Sequence, residues 1–401
     1  MSTSILYHAF NLKGVKFESA KYLGNAIIFS VKMTKQFIKC PDCSCRYTNN
    51  KGKKIRLFQM GPIGRKQAIL KLLRHRVQCH ECGKIWWPQL PFMDGKHRYT
   101  RSFALTALEL LRFGTIKDVA HFLQVGWDLI KEIHKNKLQN LYRIIPISKI
   151  KYLGVDEFSL RKGHNYMTIF IDLQSGRIVH AVEGRSKDDI QPFLKKLARK
   201  AKKLKAIAMD MSRSYSGAVT EHLPKVDIVF DRYHIMAHMN KAIDTARREQ
   251  QRSLDDNDKK ALKGSRFLLL RNYESLDQDY QVKLNNLLDI NQPLFVMHSM
   301  KEQLRLLWSK DSRWRAKAYL DQWCFDAMMS GIKALIKVAM TIVAHKEGIL
   351  NYFTHRITSG PVEGTNNKIK TIKRQAYGFR DMVYFKLRLY HLHCQGYSLT
   401  G

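Results

Sequence analysis

Three carboxylates and four thiols are the residues of this chain whose types and settings suit chemistry. Asp156 closes the apolar run KYLGVD and Asp210 closes KAIAMD, each where a buried strand would end. Glu363 lies near the start of SGPVEGTNNKIKTIKRQAYGFRD, which opens like a helix: Gly360 as N-cap, Pro361 at the first position, and Glu363 in the first turn, where the dipole favours a carboxylate. Strand ends that converge on one crevice, with a helix laid across the sheet, would gather the three acids. Three carboxylates in one cleft repel unless cations neutralise them, and hard oxygen donors suit Mg²⁺ or Mn²⁺. Two such ions about 3.5–4 Å apart would activate a water or a 3′-hydroxyl and stabilise the oxygen leaving a phosphodiester. Taken singly, each Asp also reads as a strand-end cap and Glu363 as dipole compensation.

At steps of three and four residues, Asn366, Asn367, Lys370 and Arg374 follow Glu363 along one helical face. With Lys373 they are the expected DNA contacts on this helix. The thiols form two pairs, Cys40-Pro-Asp-Cys43 and Cys79-His-Glu-Cys82, the second followed by Gly83. Two thiolates one turn apart bite a single Zn²⁺, and two such pairs complete a tetrahedral structural site. Cys45 is a possible substitute ligand, while His75 and His80 suit surface positions or phosphate contacts.

The elements that must position these residues follow in order. AIIFSVKM (Ala26 to Met33) reads as a strand in an N-terminal arm. Helical periodicity begins near Tyr99, with Ser102 to Phe113 and then a helix-turn-helix over 116–134 in which Gln124 stands where a turn glycine is common. From Lys151 short apolar runs alternate with turns: KYLGVD, YMTIFID, RIVHAV, a basic helix over 190–201, KAIAMD, a helix over 214–222, and DIVFD ending at Asp231. That order is the α/β layer of an RNase H-like fold. From about 237 to 346 the periodicity is helical, and it ends before the third acid appears. The expected division is 1–97, an arm and four-cysteine zinc domain; 98–148, helix-turn-helix; 149–238 and 346–401, the two parts of an α/β catalytic domain; and 239–345, an all-helical insertion projecting from it.

Charge sets the partner class. Seventy Lys and Arg stand against 34 Asp and Glu among 401 residues, a net +36 that attracts polyanions. No apolar run approaches membrane-spanning length, and cysteines spaced as metal ligands fit a reducing compartment. We expect a cytoplasmic protein that binds double-stranded DNA.

The segments GVDEFSLRKGHNY, AMDMSRSYSGA, VFDRYHIM and SGPVEGTNNKIKTIKRQAYGFRD together resemble a DDE insertion-sequence transposase of the ISL-three type over about residues 38–395. The resemblance implies a zinc finger, a helix-turn-helix and a helical insertion within an RNase H-like fold. It places the acids that bind two Mg²⁺ or Mn²⁺ ions on Asp156, Asp210 and Glu363. Asp231 and His234 match an Asp-x-x-His element, for a polar role beside the acids or on DNA, or a structural hydrogen bond. Trp323 matches an aromatic that stacks on a flipped base, or packs in the core. The implied activity is binding of terminal inverted repeats, cleavage, and joining of 3′-OH ends to target DNA by a homodimer or higher synaptic assembly. A catalytically silent DNA-binding regulator and a plain nuclease are the alternatives.

Overall fold

The computed structural model describes residues 5–35, 38–161, 163, 165–253 and 264–393. They gather into two compact units, one running to Arg143 and one spanning Ile144–His393.

In the first unit, a short helix α1 (Ile5–Phe10) precedes β1 (Val15–Leu23), β2 (Ala26–Met33), β3 (Thr48–Ile63), β4 (Lys66–Cys79) and β5 (Ile85–Trp86). The sheet order is β1-β2-β4-β3, with β5 on the edge of β4. The strand expected at Ala26 to Met33 is present, but it belongs to a sheet rather than to an arm. Alternation explains the sheet: Phe29, Val31, Phe58, Leu70 and Leu72 point inward and are buried, whereas Lys32, Lys53, Ile55, Leu57 and Lys71 lie on the other, open face. Helices α2 (Arg101–Leu110), α3 (Ile116–Phe122) and α4 (Trp127–Leu141) follow. Thr115 and Asp118 form a reciprocal capping box that fixes the start of α3. The α3–α4 turn is left-handed at Gln124, φ +53°, where a glycine would relax. Its side chain repays the strain by bonding outward, donating to Arg65 O at 2.9 Å and accepting from Asn25 Nδ2 at 2.6 Å.

The second unit is built on β6 (Tyr152–Ser159), β7 (Tyr166–Asp172), β8 (Ile178–Glu183), β9 (Ala206–Met209) and β10 (Asp227–Phe230), in the order β10-β9-β6-β7-β8. β6, β7 and β8 form an antiparallel meander, and β9 and β10 add in parallel. Helices α5 (Lys187–Lys200) and α6 (Arg213–His222) join the later strands. Beyond β10 come α7 (Arg232–Ser253), α8 (Arg266–Leu270), α9 (Gln278–Asp289), α10 (Gln292–Arg305), α11 (Arg313–Met329), α12 (Lys333–Ala344), α13 (Lys346–Leu350) and α14 (Tyr352–His355). No strand interrupts residues 232–355 among those described. α15 (Gly360–Gln375) carries Glu363, and α16 (Met382–Tyr390) closes the unit.

The helical run begins at Arg232 and ends at His355; residue 239 lies within α7, and His345 is the turn between α12 and α13. The run's buried residues Leu294, Leu320, Trp323 and Leu335 belong to one continuous apolar cluster that also takes in Val155, Ile207, Phe193 and Val219. The sheet's other face packs Phe158, Met167 and Ile169 against Val362, Ile369 and Phe385 of α15 and α16. The sheet is therefore buried on both sides.

The chain comes back to where it left. Asn351 Nδ2 donates to Ile228 O at 2.9 Å, and His355 Nε2 lies 2.7 Å from Asp227 Oδ2. Gly348 sits flush on Phe230, whose ring would lie 2.4 Å from an added Cβ. No helix among the described residues is long and apolar enough to cross a membrane.

Candidate active site and metal centre

The β6–β9 ladder is parallel and pairs Tyr152 with Ala206, Leu153 with Ile207 and Gly154 with Ala208. Two residues on, the same register sets Asp156 beside Asp210 and, by the two-residue period of a strand, turns both to the face of Gly154 and Ala208. β9 and β10 pair Phe230 with Met209, so Asp231 comes next to Asp210. Three neighbouring strands thus carry an aspartate at one level. Asp156 lies within β6, three residues before its end, and not at the strand terminus. What ends there is its partner β9.

α15 covers that face. A Cβ on Gly154 would meet Val362 Cγ2 at 2.5 Å and Leu173 Cδ2 at 2.9 Å, so the helix rests on the strand only because residue 154 is glycine. Glu363 adjoins this contact in the first turn of α15 and is exposed. The helix starts one residue earlier than expected, with Ser359 as N-cap; its hydroxyl does not cap the helix but donates to Asp231. Asp231 also accepts the Tyr233 N–H at 3.2 Å, so one buried carboxylate ties the start of α7 to the start of α15. His234 Nδ1 stands 4.0 Å from Asp210 Oδ2.

Electrostatics mark Asp156. Burial pushes its carboxyl up to about 6, the Asp210 charge adds to the rise, and the Glu157 N–H and His234 oppose it. Asp210 acts on Asp156, Glu363 lies exposed in the first turn of the covering helix, and the oxygens of the three do not close to within 4.8 Å of one another as a trio. The donor set, oxygen-only and mutually repelling, fits hard divalent ions.

Several contacts could not be read from the sequence. Asn366 is buried and donates to Asp156 Oδ2 at 2.6 Å instead of facing outward. Lys373 donates to the Ser159 carbonyl, tying α15 to the end of β6. Asn367, Lys370 and Arg374 are exposed. Glu157 accepts from Tyr215 Oη at 3.1 Å and lies 3.7 Å from Arg185; the adjacent acids in GVDEF were the only hint of it.

The thiols do converge. Sγ atoms of Cys40, Cys43, Cys79 and Cys82 all lie within 4.8 Å of one another, the one group of three or more potential ligands this close among the described residues. The two knuckles match. Cys40 N donates to Cys45 O and Cys79 N to Lys84 O, both at 2.8 Å, and Ser44 (φ +64°) takes the left-handed place that Gly83 (φ +71°) takes in the other. Backbone N–H groups of Cys82 and Glu81 hold the Cys79 thiol down to about 6. Those of Cys43 and Asp42 lower Cys40 against burial. Four sulfurs so gathered fit one tetrahedral Zn²⁺. Cys45 stays outside the group, its Sγ taking the Tyr47 N–H at 3.3 Å.

With this geometry established, likeness to known proteins decides the family. The model of a family described as Transposase matches residues 153–389, and that of the helix-turn-helix domain of transposase family ISL3 matches residues 88–135. The transposase for insertion sequence element IS1001 of Bordetella parapertussis is 33% identical over 370 residues, 91% of each chain. The chain belongs to the ISL3 family of DDE transposases. That for IS1557 of Mycobacterium tuberculosis is 28% identical over 356 residues, 82% of this chain and 80% of its own. The Drosophila P element transposase strand transfer complex aligns with a TM-score of 0.41 at 12% identity, over 74% of this chain and 92% of that one. This protein is a DNA transposase, an enzyme of DNA cleavage and strand transfer.

Trp323 is not available to a flipped base. It is 2% exposed, its Nε1 donates to Met300 O at 2.9 Å, and its ring lies in the shared core. Its position on the inner stripe of α11 decides this; Trp314, on the first turn of the same helix, is 75% exposed. Trp323→Ala should destabilise the second unit by about 3–5 kcal/mol, with cleavage per folded molecule unchanged. A denaturant titration beside an activity assay checks it; an unshifted midpoint with lost cleavage would return Trp323 to DNA.

Proposed function

We propose that Asp156, Asp210 and Glu363 hold the divalent ions, two Mg²⁺ or Mn²⁺, of an RNase H-like catalytic layer interrupted by a helical insertion, residues 232–355. The observation that carries this is the register: Asp156 and Asp210 side by side past the last β6–β9 pair, beneath the helix that bears Glu363. Ions there would lower the pKa of an attacking water or 3′-hydroxyl and offset charge on the leaving oxygen. The chain's own part is to fix the acids. Gly154 lets α15 seat, the Glu157 N–H and Asn366 orient Asp156, and Asp231 holds the first turn of α15 through Ser359. Exposed Asn367, Lys370 and Arg374 grip phosphates beside the cleft.

The zinc-bound knuckles and α3–α4 would select the element's terminal inverted repeats in double-stranded DNA, with α4 in the major groove. Two or more copies would pair the ends before joining them to target DNA in the cytoplasm, at the nucleoid. A strand-transfer assay tests the scheme: a pre-cut terminal-repeat duplex with a free 3′-OH, supercoiled target and Mg²⁺. Covalent joining through that 3′-OH is the expected product. Hydrolysis alone, with no joined species, would reduce the enzyme to a nuclease.

A further inference from the structure

Asp156 is gripped on both carboxylate oxygens. Glu157 N–H donates to Oδ1 at 2.7 Å and Asn366 Nδ2 to Oδ2 at 2.6 Å. Each oxygen keeps a further lone pair, and a carboxylate so held cannot turn it away. Asn366 stands three residues after Glu363 on α15 and is 9% exposed. Among the described residues, its own buried Oδ1 has no hydrogen-bond partner. An orphaned buried carbonyl works against folding, and an apolar side chain of that size would avoid it. An amide with one end unsatisfied and the other on an acid of the site has a job other than packing.

We infer, building on the ion site proposed above, that Asn366 is a positioning residue of that site. Its N–H sets the Asp156 carboxylate in the orientation an ion needs. Because it rides on the helix of Glu363, it also ties the first acid to the third through one rigid turn. Hydrogen-bond partners of ligating carboxylates act in this way, and their loss lowers metal affinity about 10- to 100-fold.

Mn²⁺ binding to the full chain without DNA, read by electron paramagnetic resonance, tests it on wild type, Asn366→Ala, Asn366→Asp and Asp156→Asn. Asn366→Ala should bind Mn²⁺ about 10- to 100-fold more weakly, with an unlowered melting temperature and unchanged affinity for DNA. Excess Mn²⁺ should then restore part of its cleavage. Asn366→Asp keeps shape and oxygen but, at about pH 8, has no hydrogen to donate, so it should fail as the alanine does. Wild-type Mn²⁺ affinity in Asn366→Ala overturns the inference. So does Asn366→Asp binding as tightly as wild type, since the orphaned oxygen and not the N–H would then be what counts. Full Mn²⁺ affinity in Asp156→Asn would remove the ion site itself, a failure of the assignment and not of Asn366.

Discussion

Asp156→Asn, Asp210→Asn and Glu363→Gln are each expected to lower Mg²⁺-dependent cleavage and joining by at least about 10³-fold, while duplex DNA is bound as tightly as before. Three decades correspond to roughly 4 kcal/mol in the barrier, within the several that a bound ion supplies to developing charge. Each change is isosteric and removes one negative charge, so the sheet, the seat of α15 on Gly154 and the +36 field that draws DNA all persist. A gel assay on labelled terminal-repeat duplex, with a filter-binding titration on the same preparations, separates the two effects. Near-normal cleavage in any one mutant takes that residue out of the site. Loss of binding in parallel with cleavage would mean that the acid shapes the DNA surface instead.

The second large effect concerns the cysteines. Cys79→Ser, or a strong chelator on the wild type, should unfold the zinc knuckles and abolish selective protection of the element's ends, leaving non-specific binding. Zinc binding in such sites is worth about 10–16 kcal/mol, as much as the whole stability of a typical domain, about 5–15 kcal/mol. Cys79 is the last residue of β4 and pairs with Thr48 of β3, so its loss also frees the end of the long hairpin. Zinc content, limited proteolysis and footprinting of the ends read the three consequences together. Cys45→Ser is the control, expected to keep its zinc because Cys45 lies outside the sulfur cluster. A Cys79→Ser protein that retains zinc and footprint would dispose of the metal centre.

Much of the second unit was legible because burial on both faces leaves a strong mark. YMTIFID and KAIAMD are apolar without alternation, as strands covered on both sides must be, and they appear as β7 and β9. β3 and β4 were hidden for the opposite reason. NNKGKKIRLF has an open outer face, so its inward Phe58 is diluted by lysines and the stretch resembles a basic loop. That hairpin is what fills the long gap between the cysteine pairs and returns Cys79 to Cys43. Asn366 was misplaced by helical geometry alone: it shares a turn with Glu363, but which side of that turn meets β6 depends on Gly154, more than two hundred residues away. The same holds for Lys373, drawn inward by the Ser159 carbonyl. Periodicity gives a stripe; only packing says which end of it is dry.

The return of the chain to β10 carries a consequence for how such an enzyme can vary. Arg232 and Ser359 flank one spot, held by Asp231, so residues 232–355 are wired like a removable cassette: cut there, and the strands and acids remain in order. Packing says the reverse. Leu294, Leu320 and Leu335 belong to one apolar cluster that runs on to Val155 and Ile207, and their removal would open that core to water. Topology permits an excision that thermodynamics forbids. A minimal catalytic core made by deletion would need new apolar cover before it could fold.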